Sequence, residues 1–116
     1  MSADITQDRI SLHPHTRRVR VWAGDTLLAD STRAVELREQ GYPPRQYLPE
    51  SDVHMAQLFY STTVTHCPFK GDATYYSVDE HPDVAWQYAN PLANMAAIAD
   101  RLAFDDSVMT VQVDAG

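Results

Sequence analysis

Short runs of alternating apolar and polar residues dominate this chain, and they limit it to a fold made of strands. In residues 18–23, Val19 and Val21 fall on one face and Arg18 and Arg20 on the other, which is the period expected of a strand with one buried face. Patterns of helical period extend over only about two turns. The chain is therefore predicted to be mainly β, with two packed antiparallel sheets, tent-like or sandwich-like, and one or two short helices.

The predicted strands are separated by turns rich in Gly, Pro, Asn and Asp. Three of them, at 18–23, 26–30 and 34–39, predict an antiparallel meander, and the next segment, 46–48, is at best a short edge strand. Five more strands are predicted at 62–66, 73–78, 84–88, 101–104 and 107–113, the last two forming a hairpin. Short helices are predicted after Ser51 and after Asn90-Pro91.

The first residues of the chain lack any periodicity, and His13-Pro14-His15 is typical of a loop. Residues 1–16 are therefore predicted to form a flexible N-terminal arm. Residues 17–116 are predicted to form a single β-rich domain, because a chain of 116 residues can bury one core without disulfides or metal ions.

Acidic residues outnumber basic ones, 16 to 9, and the formal net charge is −7. Residues 51–116 contain only Lys70 and Arg101 as cations. Binding of duplex DNA or RNA needs a cluster of several cations, so no nucleic-acid partner is predicted. No apolar run approaches the ~20 residues of a membrane span, which predicts a cytoplasmic protein without a membrane partner.

A single cysteine, Cys67, excludes an internal disulfide and any zinc site that needs two or more cysteines. His54, His66 and His81 lack the spacing of metal ligands. We therefore expect neither a metal nor another cofactor. Cys67 could be a nucleophile or simply a small buried residue before a proline, and His66 is a poor partner for it because adjacent strand residues face opposite ways.

Lys70 is the only lysine of the chain and lies in the loop 67–71 between Pro68 and Gly71. Proline fixes one backbone angle and glycine permits positive φ, so the loop should be rigid and sharply turned. Such a lysine could bind an anion, could act as a base or nucleophile, or could be merely exposed to solvent. If it is exposed, Lys70→Met should change stability by no more than ~0.5 kcal/mol.

Aromatic residues on two consecutive strands provide the second signal for a site. Tyr75 and Tyr76 must face opposite ways, whereas Trp86 and Tyr88 share one face. Together with a lysine and an arginine these rings could form an amphipathic pocket, or they could fill the core. The pocket residues predicted in this way are Cys67, Lys70, Arg20, Tyr76, Trp86 and Tyr88.

Residues 67–76 have the pattern C-P-[FYW]-K-G-x-A-x-Y-Y, and A-W-x-Y follows at 85–88. With these motifs as its most specific part, the sequence resembles a family known as domain of unknown function 427 over roughly residues 17–114. The resemblance implies a small, single-domain, mainly bacterial protein of mostly β structure, grouped with tent-like folds of two antiparallel sheets. Some members of that wider group hold zinc with cysteine pairs, which one cysteine cannot do. The label nucleotidyltransferase-like is sometimes attached to the family, but this chain lacks the paired Asp-x-Asp carboxylates and the glycine-rich loop of such enzymes.

Three functions are consistent with these residues. The leading hypothesis is a domain that binds a small anionic or polar molecule near the loop 67–71, with Lys70 holding the anion. The second is a structural or interaction module in which the aromatic face pairs with another subunit, as in a homodimer. The third is an enzyme of unknown reaction, which would need Lys70 within hydrogen-bond distance of an acid such as Glu36 or Asp52.

Overall fold

The computed structural model describes residues 9–115 and contains ten strands. They are β1 Ile10–Pro14, β2 Val19–Ala23, β3 Thr26–Ser31, β4 Val35–Glu39, β5 Arg45–Pro49, β6 Phe59–Cys67, β7 Gly71–Val78, β8 His81–Gln87, β9 Arg101–Phe104 and β10 Thr110–Val113. The helical segments are short 3-10 helices, Glu50–Asp52, Met55–Gln57 and Ala93–Ile98. None of the helices in this part of the chain has the length and apolar character needed to cross a bilayer.

The strands form two antiparallel sheets. The larger sheet has seven strands in the order β1-β4-β5-β9-β8-β7-β6, and the smaller has three in the order β10-β2-β3. All strand pairs within both sheets are antiparallel. The prediction of a mainly β fold with two antiparallel sheets is confirmed.

One hydrophobic cluster lies between the two sheets. Val19 and Val21 of β2 are fully buried there, as their alternation with arginines predicts, together with Leu48, Leu102 and Phe104 of the larger sheet. Burial of apolar area of this kind is the main favourable term in folding, at roughly 25 cal/mol per Å². The smaller sheet therefore covers one face of the larger.

A second hydrophobic cluster occupies the other face of the larger sheet. It contains Leu37 and Tyr47, together with Met95 and Ile98 of the last 3-10 helix. Residues 46–48 of β5 are buried on both faces for this reason. The prediction of a short edge strand at 46–48 is wrong: β5 lies inside the sheet, between β4 and β9.

Part of the predicted N-terminal arm is a strand. β1 pairs with β4 from Ile10 opposite Glu39 to Pro14 opposite Val35, and Ile10 is buried. The sequence does not predict this strand, because the strand forms by pairing with the distant β4. Residues 1–8 of the arm lie outside the described residues.

The predicted meander and terminal hairpin are also wrong. β2 and β3 pair as expected, but β4 joins the larger sheet, and β10 takes its place in the smaller one. β9 pairs with β5 and β8 rather than with β10. Alternation identifies a strand, but it does not say which sheet the strand enters.

Candidate functional site

Two cavities on the described part of the chain are candidates for a site. The first, here called the inter-sheet cavity, has a volume of about 270 Å³. Its lining includes Val21, Leu48 and Phe104 between the sheets. The second, here called the aromatic cleft, has a volume of about 350 Å³ and lies over the outer face of the larger sheet.

The polar side chains at the edge of the inter-sheet cavity satisfy one another. Glu36 accepts hydrogen bonds from Arg17 at 3.0 Å, from Arg38 at 2.7 Å and from Gln46 at 2.9 Å. Burial alone would raise the pKa of Glu36, but the bonds from Arg38, Gln46 and Arg17 outweigh it and lower the pKa to about 2. A network satisfied in this way stabilises the fold and holds the Glu36 carboxylate and the Gln46 amide in bonds within the protein.

The aromatic cleft combines rings with charged groups from four strands and the segments that connect them. Its lining consists of Leu37, Glu39, Tyr42, Pro43, Arg45, Tyr47, Lys70, Tyr75, Asp83, Trp86, Tyr88 and Asp105. On β4 and β5 the lining residues alternate along the strand, as the pleat requires. Concave sites with a mostly apolar wall and a few convergent polar groups are the usual form of small-molecule sites.

Lys70 is held in the cleft by both its backbone and its side chain. Its N–H donates to the carbonyl of Cys67 at 3.2 Å, and its own carbonyl accepts from Leu92 at 3.0 Å. The next residue, Gly71, has φ +117°, where a Cβ would come within 3.3 Å of backbone atoms, so glycine is required there. Lys70 Nζ donates to Glu39 Oε1 at 3.1 Å.

The Lys70–Glu39 pair is largely shielded from water. The two side chains are 12% and 13% exposed. Arg9 lies 3.6 Å from the other oxygen of Glu39 and packs over Phe69 at 5.0 Å from the ring centre. One carboxylate is thus shared by two cations, which leaves this end of the cleft with a net positive charge.

Two pairs of rings form the wall of the cleft. Tyr75 and Trp86 are directly opposite each other on β7 and β8, with ring centres 6.2 Å apart. Tyr47 and Tyr88 have ring centres 6.4 Å apart. The Trp86 indole donates to the Tyr47 hydroxyl at 3.2 Å, and Arg45 lies over the Trp86 ring at 5.0 Å. Tyr47 and Tyr88 are buried, so Tyr75 and Trp86, which are half-buried, supply most of the apolar surface that a ligand can contact.

Tyr88 differs from the other tyrosines of the wall. It is only 6% exposed, yet its hydroxyl has no hydrogen-bond partner within residues 9–115, whereas Tyr75 bonds to Thr65 and Tyr47 to Trp86. Burial raises the pKa of Tyr88 above its usual range, and burial also raises that of Tyr47, to about 12. Both groups are neutral hydroxyls at physiological pH, and that of Tyr88 is free to bond to a ligand.

Two carboxylates line the other end of the cleft. Asp83 has φ +53° within β8 and accepts from the Thr63 hydroxyl at 2.8 Å. Asp105 accepts from the hydroxyl and the N–H of Ser107 at 2.6 and 3.0 Å. Hydrogen bonds from Ser61 and Thr63 lower the pKa of Asp83, and those from Ser107 lower the pKa of Asp105. Both side chains are therefore anionic at neutral pH.

Comparison with protein families identifies the chain. The family model described as "Domain of unknown function (DUF427)" matches residues 11–115. The chain belongs to the DUF427 family. No curated protein matches this DUF427 chain.

The fold brings together three of the site residues predicted for this DUF427 protein. Lys70, Trp86 and Tyr88 all line the aromatic cleft. The tyrosine that joins them is Tyr75, whereas Tyr76 faces the other way, packs against the inter-sheet core and donates to Gln87 at 3.1 Å.

The fold does not bring Arg20 and Cys67 into the lining of the cleft. Arg20 lies on the smaller sheet and pairs with Asp114 at 3.1 Å. Cys67 is partly buried at the end of β6. Glu36 and Asp52, the acids named as examples for the enzyme hypothesis, pair with arginines instead. The acid within hydrogen-bond distance of Lys70 is Glu39.

Sequence reasoning missed the acids and the tyrosine that complete the cleft of the DUF427 protein. Glu39 shares a face of β4 with Leu37, and Tyr47 shares a face of β5 with Arg45. The alternation along each strand could therefore have predicted that the members of each pair lie on the same face. Their closeness to Lys70 depends on strand order, which local pattern does not encode. Within residues 9–115 no cluster of three or more His, Cys, Asp or Glu side chains is arranged to hold a metal ion.

Proposed function

We propose that this DUF427 protein binds a small molecule with an anionic group and a flat ring in the aromatic cleft. The observation that carries the proposal is the placement of the only lysine at one end of a wall of four rings. An ammonium group has three donors and Glu39 takes one of them. The remaining donors can bond to a carboxylate or phosphate.

The size of the cleft limits the ligand. At about 350 Å³ it lies near the lower end of the range for small-molecule sites, roughly 300–1,000 Å³. A molecule with one ring and one or two polar substituents fits this space. Stacking on the ring wall would supply affinity, and the lysine would fix orientation.

The test is isothermal titration calorimetry with 4-methylbenzoate, which carries one ring and one carboxylate. We expect wild-type protein to bind it, Lys70→Met to lose most of the affinity, and Lys70→Arg to recover part of it, because a guanidinium is planar and reaches differently. Tyr88→Phe should weaken binding while leaving stability unchanged, since its hydroxyl has no partner within the described residues. Arg20→Met is the control: it removes a cation that pairs with Asp114 outside the cleft.

Thermal melts of each variant separate binding from folding. If wild-type protein does not bind 4-methylbenzoate, or if folded Lys70→Met and Tyr88→Phe bind as tightly as wild type, the proposal is wrong. If Lys70→Met is less stable than wild type but binds 4-methylbenzoate equally well, Lys70 stabilises the fold and does not bind the ligand.

A second candidate function, homodimer formation, is favoured by the edge strand β6. Phe59, Tyr60 and Val64 are 59%, 68% and 60% exposed there, and residues 59–65 contain no charge. Edge strands of monomers usually carry lysine, proline or other charges that block pairing. We propose a second copy of this chain as the occupant, paired antiparallel to β6 about a two-fold axis.

Sedimentation equilibrium over a range of protein concentrations tests the dimer. We expect a dimer for wild-type protein and a monomer for Val64→Lys, which places a charge on the edge. Val108→Lys is the matched control, because Val108 is 44% exposed outside β6. A wild-type monomer, or a Val64→Lys dimer, would contradict the proposal.

A further inference from the structure

The aromatic cleft has opposite charges at its two ends. Lys70 precedes the first residue of β7 and shares Glu39 with Arg9. Asp83 lies beside the other end of β7, where its N–H donates to the Ser77 hydroxyl at 3.0 Å. The ring wall, with Tyr75 opposite Trp86, lies between them.

Neither carboxylate of the acidic end forms an ion pair with a described residue. Asp83 and Asp105 accept hydrogen bonds only from hydroxyl and backbone groups among residues 9–115. Arg45, a cation of the same lining, donates to the carbonyl of Phe104 at 3.0 Å and pairs with Asp106 at 3.5 Å. The backbones of the two segments meet where the N–H of Asp105 donates at 2.8 Å to the carbonyl of Val84, the residue after Asp83.

The cleft also contains a hydroxyl that is free of protein partners. Tyr88 lines the cleft, and no described residue bonds to its hydroxyl. This hydroxyl can therefore bond to a ligand or to water.

From this arrangement we infer that the cleft selects an elongated zwitterion, with a carboxylate or phosphate at Lys70 and an ammonium or guanidinium group at Asp83 and Asp105. This inference rests on the proposed function and adds the second charge of the ligand. Ammonium and guanidinium groups carry several donors and form charge-assisted hydrogen bonds with carboxylates such as these.

The distance between the ends excludes ligands whose two charges are attached to one carbon. The stretch from Lys70 to Ser77 spans about 23 Å of backbone at ~3.3 Å per residue. The side chains of Lys70 and Asp83 fill part of this distance, but an α-amino group and its own carboxylate still cannot reach both ends. The ligand class is therefore an amino or guanidino acid with its charges at opposite ends of the molecule.

A matched set of three probes tests the inference by calorimetry. They are 4-methylbenzoate, 4-methylbenzylamine and 4-(aminomethyl)benzoate, which share one ring and differ only in charge. We expect 4-(aminomethyl)benzoate to bind at least about tenfold more tightly than 4-methylbenzoate, as one charge-assisted hydrogen bond provides. Asp83→Asn/Asp105→Asn should abolish this gain and leave the affinity for 4-methylbenzoate nearly unchanged.

The control is Asp25→Asn/Asp79→Asn, which removes the same charge from exposed turn residues outside the cleft. At physiological ionic strength such distant charges are screened, so the gain should persist. Equal affinities for the two benzoates, or a gain that survives in Asp83→Asn/Asp105→Asn, would overturn the inference while the proposed function stands. Binding of neither benzoate would overturn both.

Discussion

The Lys70–Glu39 pair should contribute to stability as well as to binding. The two side chains are 12% and 13% exposed and their charged atoms are 3.1 Å apart, so the pair lies between a surface ion pair, worth at most about 1 kcal/mol, and a fully buried one. Lys70→Met leaves Glu39 with only Arg9, at 3.6 Å. We expect a loss of about 2 kcal/mol, the cost of removing a hydrogen bond to a charged group, and a fall in Tm of roughly 8 °C.

This value replaces the ~0.5 kcal/mol expected for an exposed lysine. The assay is urea unfolding of Lys70→Met, Glu39→Gln and the double variant, followed by tryptophan fluorescence. The double variant should lose little more free energy of unfolding than either single variant does, which corresponds to a coupling free energy of about 1.5 kcal/mol between Lys70 and Glu39. The exposed pair Arg18–Asp30, treated in the same way, should show a smaller coupling. Single effects that add to within about 0.5 kcal/mol would refute the pairing.

Three further predictions concern the fold. Urea unfolding should show that Gly71→Ala lowers the free energy of unfolding by about 3 kcal/mol and Gly24→Ala by about 1 kcal/mol. Both glycines have positive φ, but an added Cβ meets backbone atoms only at residue 71. Equal losses of stability in the two variants would contradict this prediction. The pKa of Glu36 is lowered from 4.5 to about 2, which stabilises the fold by about 3 kcal/mol above pH 4.5, and this stabilisation is lost as the pH falls through about 2. The free energy of unfolding in urea should therefore depend less on pH between these values in Glu36→Gln than in wild-type protein. An unchanged pH dependence would contradict this prediction. Tyr47→Phe should cost about 1 kcal/mol and change the emission of Trp86, whose N–H loses its acceptor; an unaltered spectrum would show that the bond is absent.

The sequence predicts individual strands better than the way they are arranged. Val19 and Val21 alternate with arginines, and both are buried as that pattern requires. The partners of β2 are not encoded locally: one of them, β10, comes from the far end of the chain. Strand pairing of such long range is decided by the packing of the whole core, which periodicity does not report.

The candidate site shows the same division between local and distant information. The opposite directions of Tyr75 and Tyr76 follow from the pleat, but which of them faces the cleft depends on the side that the smaller sheet covers. The loop 67–71 could be predicted from its proline and glycine. The acid that pairs with Lys70 could not, because Glu39 approaches it only through the order of the strands in the larger sheet.

An NMR titration of ¹⁵N-labelled protein with 4-methylbenzoate tests most directly whether the aromatic cleft is a binding site. We expect the largest shifts at the indole N–H of Trp86 and at the backbone amides of Lys70 and Gly71, with saturation and loss of the shifts in Lys70→Met. Largest shifts at Val21 and Val111, which line the inter-sheet cavity, or no saturable shifts at all, would contradict the assignment of function to this cleft.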